Sequence, residues 1–283
     1  MYKINPRVDY AFKKLFGTEE NKDLLIALIN SIVSEEDKVV DIELKNPYNI
    51  KNFRNDKISV FDIKAQDKKG TWFNIEMQIL DQQYYAQRAM YYWARLYVSQ
   101  LSSGINYDKL EKTIGINILN FNCLKEEGYH NVYKLQNVKT KEKLIDHLEI
   151  HFLELEKYDD KLSTLMDRWI NFLKRADQYS KNKLPKALEE VPEIKKAIEV
   201  LEIMHLTEEE QEIYEGRLKW MRDEELALVY AEQKGIEKGR KEGMEKGKLD
   251  IAKEALLQGL STEMISKITG LTIEQIEKLK GFL

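Results

Sequence analysis

The stretch from Lys57 to Ile79, KISVFDIKAQDKKGTWFNIEMQI, carries the side chains best suited to chemistry: Asp62, Lys64, Glu76 and Gln78. Val60, Asp62 and Lys64 alternate with Phe61, Ile63 and Ala65, and Asn74, Glu76 and Gln78 alternate with Phe73, Ile75, Met77 and Ile79. Successive side chains of a strand point to opposite faces, so the spacing predicts two strands, each with one apolar and one polar face. Asp67-Lys68-Lys69-Gly70 supplies turn chemistry between them. If Asp67 pairs with Thr71, Asp62 falls opposite Glu76, with Cβ atoms roughly 4.5–5.5 Å apart. Gln78 and Lys64 sit one step away on that face. Like charges so placed destabilise a sheet. A hard divalent cation such as Mg²⁺ relieves the repulsion by taking oxygens from one or two carboxylates and from a substrate phosphate. The other relief is a solvated hairpin face on which Lys64 neutralises the pair.

The elements around the hairpin follow from periodicity. Residues 8–33 read as helical, with Gly17-Thr18 splitting them into two short helices. Asp9 sits in the first turn, where a carboxylate complements the helix dipole. Val39–Leu44 reads as a strand ending near Pro47. Asp81–Ser102 reads as a long amphipathic helix rich in Tyr and Trp, with Gln87 and Arg88 one turn from Tyr91 and Tyr92. Thr113–Asn122, Asn131–Asn137 and Asp146–Leu155 read as strands. The spacing puts His147 and His151 on one strand face with Glu149, and without Cys or Asp at metal-ligand spacing nearby they read as structural, not as a zinc site.

From Asp159 onward the pattern is helical. Thr207-Glu208-Glu209-Glu210 has capping-box spacing. Glu208–Glu225 holds eight acids against three bases, a face that repels nucleic acid. Gly235, Gly239, Gly243 and Gly247 recur every fourth residue, at a cost of about 0.8–1.0 kcal/mol each in a helix interior. They suit either a flexible linker or a helix packed closely on a partner; the regular spacing favours pairing, in a homodimer or a higher homo-oligomer. Breaks at Gly259-Leu260 and Gly270-Leu271, with Ser261 and Thr272 as N-caps, predict three short helices resembling a helix-turn-helix. The last of these presents Glu274, Gln275 and Glu277 before Lys278 and Lys280, so it reads as an assembly module before a groove reader.

The 283 residues are 43% hydrophobic and 33% charged, with net charge −4, so any nucleic-acid contact needs a local basic patch. Cys123 is the only cysteine, which excludes an intrachain disulfide and fits a reducing compartment. MYKINPRVDY lacks an apolar core and no apolar run reaches membrane-spanning length, so neither a signal peptide nor a membrane partner is expected, and the expected location is cytoplasmic.

Asp62 followed fourteen residues later by Glu76-x-Gln78 resembles the PD-(D/E)XK nuclease superfamily. More narrowly, DYAFKKLFG (Asp9–Gly17), SVFDIKA (Ser59–Ala65), NIEMQ (Asn74–Gln78) and QRAMYYWARLY (Gln87–Tyr97), in this order, resemble the Rpn family of recombination-promoting nucleases. The resemblance covers residues 5–155 well and the tail in general style. It implies an α/β, restriction-endonuclease-like core, a mixed sheet flanked by helices, followed by a mostly α-helical C-terminal region. The expected organisation is a nuclease-like domain over 1–156, a helical region over 157–232, a glycine-repeat helix or linker over 233–249 and the assembly module over 250–283.

The activity so implied is metal-dependent hydrolysis of DNA phosphodiester bonds, associated with recombination or mobile elements. The resemblance gives Asp62, Glu76 and the Met77 carbonyl as ligands of Mg²⁺ (or Mn²⁺), and Asp9 as a third acid. Gln87-x-x-x-Tyr91 resembles a motif that RecB-like nucleases place beside the metal, and Arg88 is suited to a DNA phosphate. Most superfamily members have Lys where this chain has Gln78, which orients only by hydrogen bonds; Lys64, on the same face, offers a compensating ammonium. The alternative is a catalytically weak or inactive nuclease fold serving as a DNA-binding or oligomeric interaction module.

Overall fold

The Gly17-Thr18 break divides the first helical stretch into α1 (Asp9–Phe16) and α2 (Lys22–Ile32). The strands are β1 (Ile42–Leu44), β2 (Ile63–Asp67), β3 (Trp72–Gln78), β4 (Thr113–Leu119), β5 (His130–Lys134) and β6 (Leu148–Glu154). Helix α3 (Tyr85–Val98) crosses between β3 and β4. Then come α4 (Leu165–Arg175), α5 (Lys186–Glu189), α6 (Pro192–Ile203), the 50-residue α7 (Glu208–Leu257), α8 (Thr262–Thr269) and α9 (Ile273–Lys280). The computed structural model describes residues 4–46, 63–81, 83–102, 104, 106–204 and 206–281. Asp62, the first acid expected of the site, lies outside the described residues.

The six strands form one mixed sheet in the order β1-β2-β3-β4-β6-β5. β2 and β3 are antiparallel, β3, β4 and β6 run parallel, and β5 returns antiparallel on β6. Parallel neighbours need a crossover, which α3 supplies between β3 and β4. Both faces of the central strands are covered, as such crossovers require. Phe73, Ile75 and Met77 of β3 and Ile114, Ile116 and Ile118 of β4 share the main core with residues of α1, α2, α4 and α6. Tyr85 and Ala89 of α3 pack with Leu119, Phe121, Ile150 and Phe152. This is the α/β core with flanking helices that the resemblance implies. Trp169, Leu188, Ile198 and Tyr214 lie in the same main core, so the helical stretch up to the start of α7 is built onto the sheet.

The chain divides into two compact units, Met1–Met221 and Arg222–Leu283. The second holds the end of α7 with α8 and α9, around Ala252, Ile265, Leu271 and Ile276. Ser261 caps α8 by accepting from the Met264 N–H, and Thr272 caps α9 in a capping box with Gln275. The glycine repeat is helical throughout. Beyond the helix's own neighbouring backbone, nothing lies within 4 Å of where a Cβ would stand at Gly235, Gly239, Gly243 or Gly247.

Candidate active site

The hairpin positions the site through its turn. Asp67 accepts from the N–H groups of Lys69 (2.9 Å) and Thr71 (2.8 Å), and its own N–H donates to the Thr71 carbonyl (3.0 Å). Gly70 closes the turn at φ 97°, a conformation that favours glycine. The resulting register pairs Ile63 with Ile75 and Lys64 with Asn74, as the Asp67–Thr71 pairing requires. Lys64, Asn74, Glu76 and Gln78 therefore lie on one face, opposite the core-facing Phe73, Ile75 and Met77.

That face is not solvated. Glu76 is 1% exposed, Asn74 5% and Gln78 8%. The reason is α3, whose first turn lies over it. The Tyr85 hydroxyl donates to Asn117 Oδ1 (3.1 Å), and Asn117 is the parallel-strand neighbour of Glu76. Asn117 Nδ2 in turn donates to the His151 carbonyl (3.1 Å). The Trp93 indole N–H donates to the Thr113 carbonyl (2.7 Å), fixing the middle of α3. A buried carboxylate is costly unless a cation or donors serve it. Asn74 Nδ2 donates to Glu76 Oε1 across 3.4 Å, and Asn74 Oδ1 is buried with no hydrogen-bond partner among the described residues. A carboxylate and an amide oxygen, side by side and shielded from water, are the hard oxygen donors that Mg²⁺ or Mn²⁺ takes.

The other expected residues are placed as follows. Asp9 starts α1, with Oδ1 accepting from the Tyr10 N–H (2.6 Å) and Oδ2 3.4 Å from Arg217 Nε. Burial raises its pKa, against Arg217 and the Tyr10 N–H, which lower it. Arg88 is half-buried, its guanidinium 5.2 Å from the Tyr92 ring centre and 6.0 Å from that of Tyr85. Gln87 is exposed one position away. The Met77 side chain is in the main core. Among the described residues no three His, Cys, Asp or Glu side chains form a group able to hold a metal.

Two residues at the site escape the sequence reading. Arg7 Nη1 donates to Asn120 Oδ1 (2.9 Å), and the Asn120 N–H donates to the Gln78 carbonyl (2.9 Å), so a guanidinium stands at the carboxyl end of β3. Burial lowers the Arg7 pKa, while Asp177 raises it. Nothing local in NPRVDY marks this role. Asn117 is the other, and its signal is present: one amide inside the apolar run TIGINIL.

The histidines separate. His147 precedes β6 and hydrogen-bonds through Nδ1 to the Tyr97 hydroxyl (2.9 Å) on α3. His151 Nε2 meets Glu149 Oε1 (2.8 Å) and its Nδ1 meets His130 Nε2 (2.9 Å). The expected shared face fails because the strand begins at Leu148, one residue too late to hold His147.

Residues 6–231 match a sequence family described as PD-(D/E)XK nuclease family transposase. No curated protein and no solved structure matches the chain.

Proposed function

The chain belongs to the PD-(D/E)XK nuclease family transposases, and on that premise we propose that it is a divalent-metal-dependent DNA endonuclease. The observation that carries this is the burial of the Glu76 carboxylate beside Asn74 and Gln78, on the strand that directly follows the Asp67–Gly70 turn. Asp62, Glu76 and the Met77 carbonyl would hold Mg²⁺, or Mn²⁺ in its place, with Asp9 as the third acid. When bound, the ion polarises a phosphate oxygen and lowers the pKa of its water. Gln78 would orient an attacking water by hydrogen bonds, and Lys64, cross-strand from Asn74, brings positive charge to the same face. Arg88 and Gln87 meet the DNA phosphates beside the scissile bond. Recombination or the movement of mobile elements is the setting that the family suggests, in the cytoplasm. Self-association of the tail, through the glycine stripe of α7, makes the working species a homodimer or larger.

The test is nicking of supercoiled plasmid by the parent protein, Asp62→Asn and Glu76→Gln, each checked for native circular dichroism. Cleavage by the parent with Mg²⁺, abolished by EDTA and by both substitutions, is the expected result. Equal cleavage by all three proteins would overturn the assignment, and so would a parent that cuts with neither Mg²⁺ nor Mn²⁺.

A further inference from the structure

Tyr84, Arg88, Tyr91 and Arg95 follow one another at four-, three- and four-residue intervals. At the N-terminus and along α3 this spacing makes a single stripe roughly 16 Å long, alternating aromatic and cationic. Tyr84 is 64% and Tyr91 61% exposed, and Arg95 is exposed as well. The helix carries no Asp or Glu, in a chain that has 49 of them. The stripe is braced from beneath: Arg88 lies over the Tyr92 ring, and the Tyr91 and Tyr92 rings are 5.7 Å apart. Tyr84 caps the helix at φ 66°, a left-handed conformation disfavoured for a bulky side chain. Such backbone strain concentrates at ligand-handling positions. The next residue, Tyr85, is bonded to Asn117 beside Glu76, so the stripe starts at the candidate active site.

We propose that this stripe is a platform for single-stranded DNA, with Tyr84 and Tyr91 stacking on unpaired bases and Arg88 and Arg95 meeting the phosphates between them. Aromatic rings stack on the face of any base, and guanidinium groups pair with phosphate, so such a surface binds without reading sequence. In a duplex the base faces are already stacked on one another and the rings have nothing to take. The platform rests on the reading of the neighbouring site as a DNA nuclease, and it assigns that site a substrate class: DNA unpaired next to the scissile bond.

Fluorescence anisotropy of the full-length protein in EDTA tests it, with labelled oligothymidylate and a duplex of the same length. Oligothymidylate binds more tightly than duplex. Tyr84→Ala and Tyr91→Ala each weaken single-strand binding by about five- to a hundredfold, whereas Tyr84→Phe and Tyr91→Phe, which keep the ring, leave it unchanged. Arg95→Ala makes the affinity less steep in salt. Tighter duplex binding, no binding, or alanine variants that bind like the parent overturn the proposal, and a clear preference for oligouridylate would reassign the surface to RNA. Glu76→Gln separates the two readings: it keeps oligonucleotide affinity while cleavage is lost. A Glu76→Gln protein that still cuts, with tyrosine variants that fail to bind, sinks the active-site assignment and leaves the platform standing.

Discussion

The Tyr85 hydroxyl donates to Asn117 Oδ1 across 3.1 Å, and Asn117 stands beside Glu76 in the parallel β3–β4 pair. One hydrogen bond thus pins the start of α3 over the buried carboxylate. Tyr85→Phe keeps the ring in its cluster but leaves Asn117 Oδ1 buried without this donor. Stability falls by about 1 kcal/mol, read from the urea midpoint. With Arg88 and Gln87 of α3 meeting the DNA phosphates as proposed, kcat for plasmid cleavage falls by roughly ten- to a hundredfold. The Mg²⁺ concentration for half-maximal activity stays put, since the proposed ligands Glu76 and Asp9 lie on β3 and α1; a shift in that midpoint with kcat intact would contradict this division of labour.

Arg217 Nε stands 3.4 Å from Asp9 Oδ2, with both side chains largely buried, and joins the first turns of α7 to the start of α1. Lys14 Nζ to Glu210 Oε1 (2.6 Å) and the Asn5 N–H to the Tyr214 hydroxyl (2.9 Å) join the same two segments. Removing one partner of such a pair strands the other charge. Arg217→Ala therefore costs more stability than Asp9→Asn, and the double variant recovers part of the loss. A double-mutant cycle in urea shows coupling of about 1–3 kcal/mol. Additive single effects would mean that the contact carries no energy.

Acid destabilises the fold through the His130–His151–Glu149 chain. His130 Nε2 and His151 Nδ1 are 2.9 Å apart, so one of these nitrogens must accept and lack a proton. Burial, and then the charge on His151, lower the His130 pKa from 6.5 to about 4. The unfolded chain takes up this proton first, so stability is lost as pH falls from about 6.5 to about 4, on the order of 3 kcal/mol in full. Burial pushes Glu149 upward, but His151, Lys112 and Lys134 outweigh it and hold its carboxyl well below the ordinary 4.5. Its contribution is present above that value and is lost only on acidification below it, extending the decline to lower pH. Urea midpoints between pH 7 and pH 4 follow the loss. His130→Gln flattens the upper part of the curve; a variant with the parent's slope would remove His130 as its source.

Local chemistry was the legible part of this molecule. The Asp67–Gly70 turn and the period-two pattern set the β2–β3 register, and Thr207, Ser261 and Thr272 announced their helices because a side-chain oxygen bonds an N–H only three residues on. What depends on distant packing was not legible. Alternating polar residues in NIEMQ read as a half-exposed strand, but Tyr85 and its helix cover them. The contact of Asn5 with Tyr214 spans 209 positions, and no periodicity reports it. The glycine repeat stays helical although each glycine opposes it, so propensity alone left linker and helix unresolved.

That cost makes the stripe testable. Beyond its own helix backbone, a Cβ at Gly239 or Gly243 would meet nothing within 4 Å, so alanine there carries no steric penalty. Each substitution stabilises α7 by about 0.8–1.0 kcal/mol from helix propensity alone, seen as higher helicity and melting temperature. Between two chains the same methyl groups have the opposite effect. Glycine lets helix backbones approach closely, and a Cβ on each holds them apart. The Gly239→Ala, Gly243→Ala double variant is therefore more helical yet smaller in mass by light scattering than the parent. A variant that gains helicity and keeps the parent's mass would move any self-association off this stripe. The exposed apolar side chains Met264, Ile268 and Ile273 of α8 and α9 are then the next surface to alter.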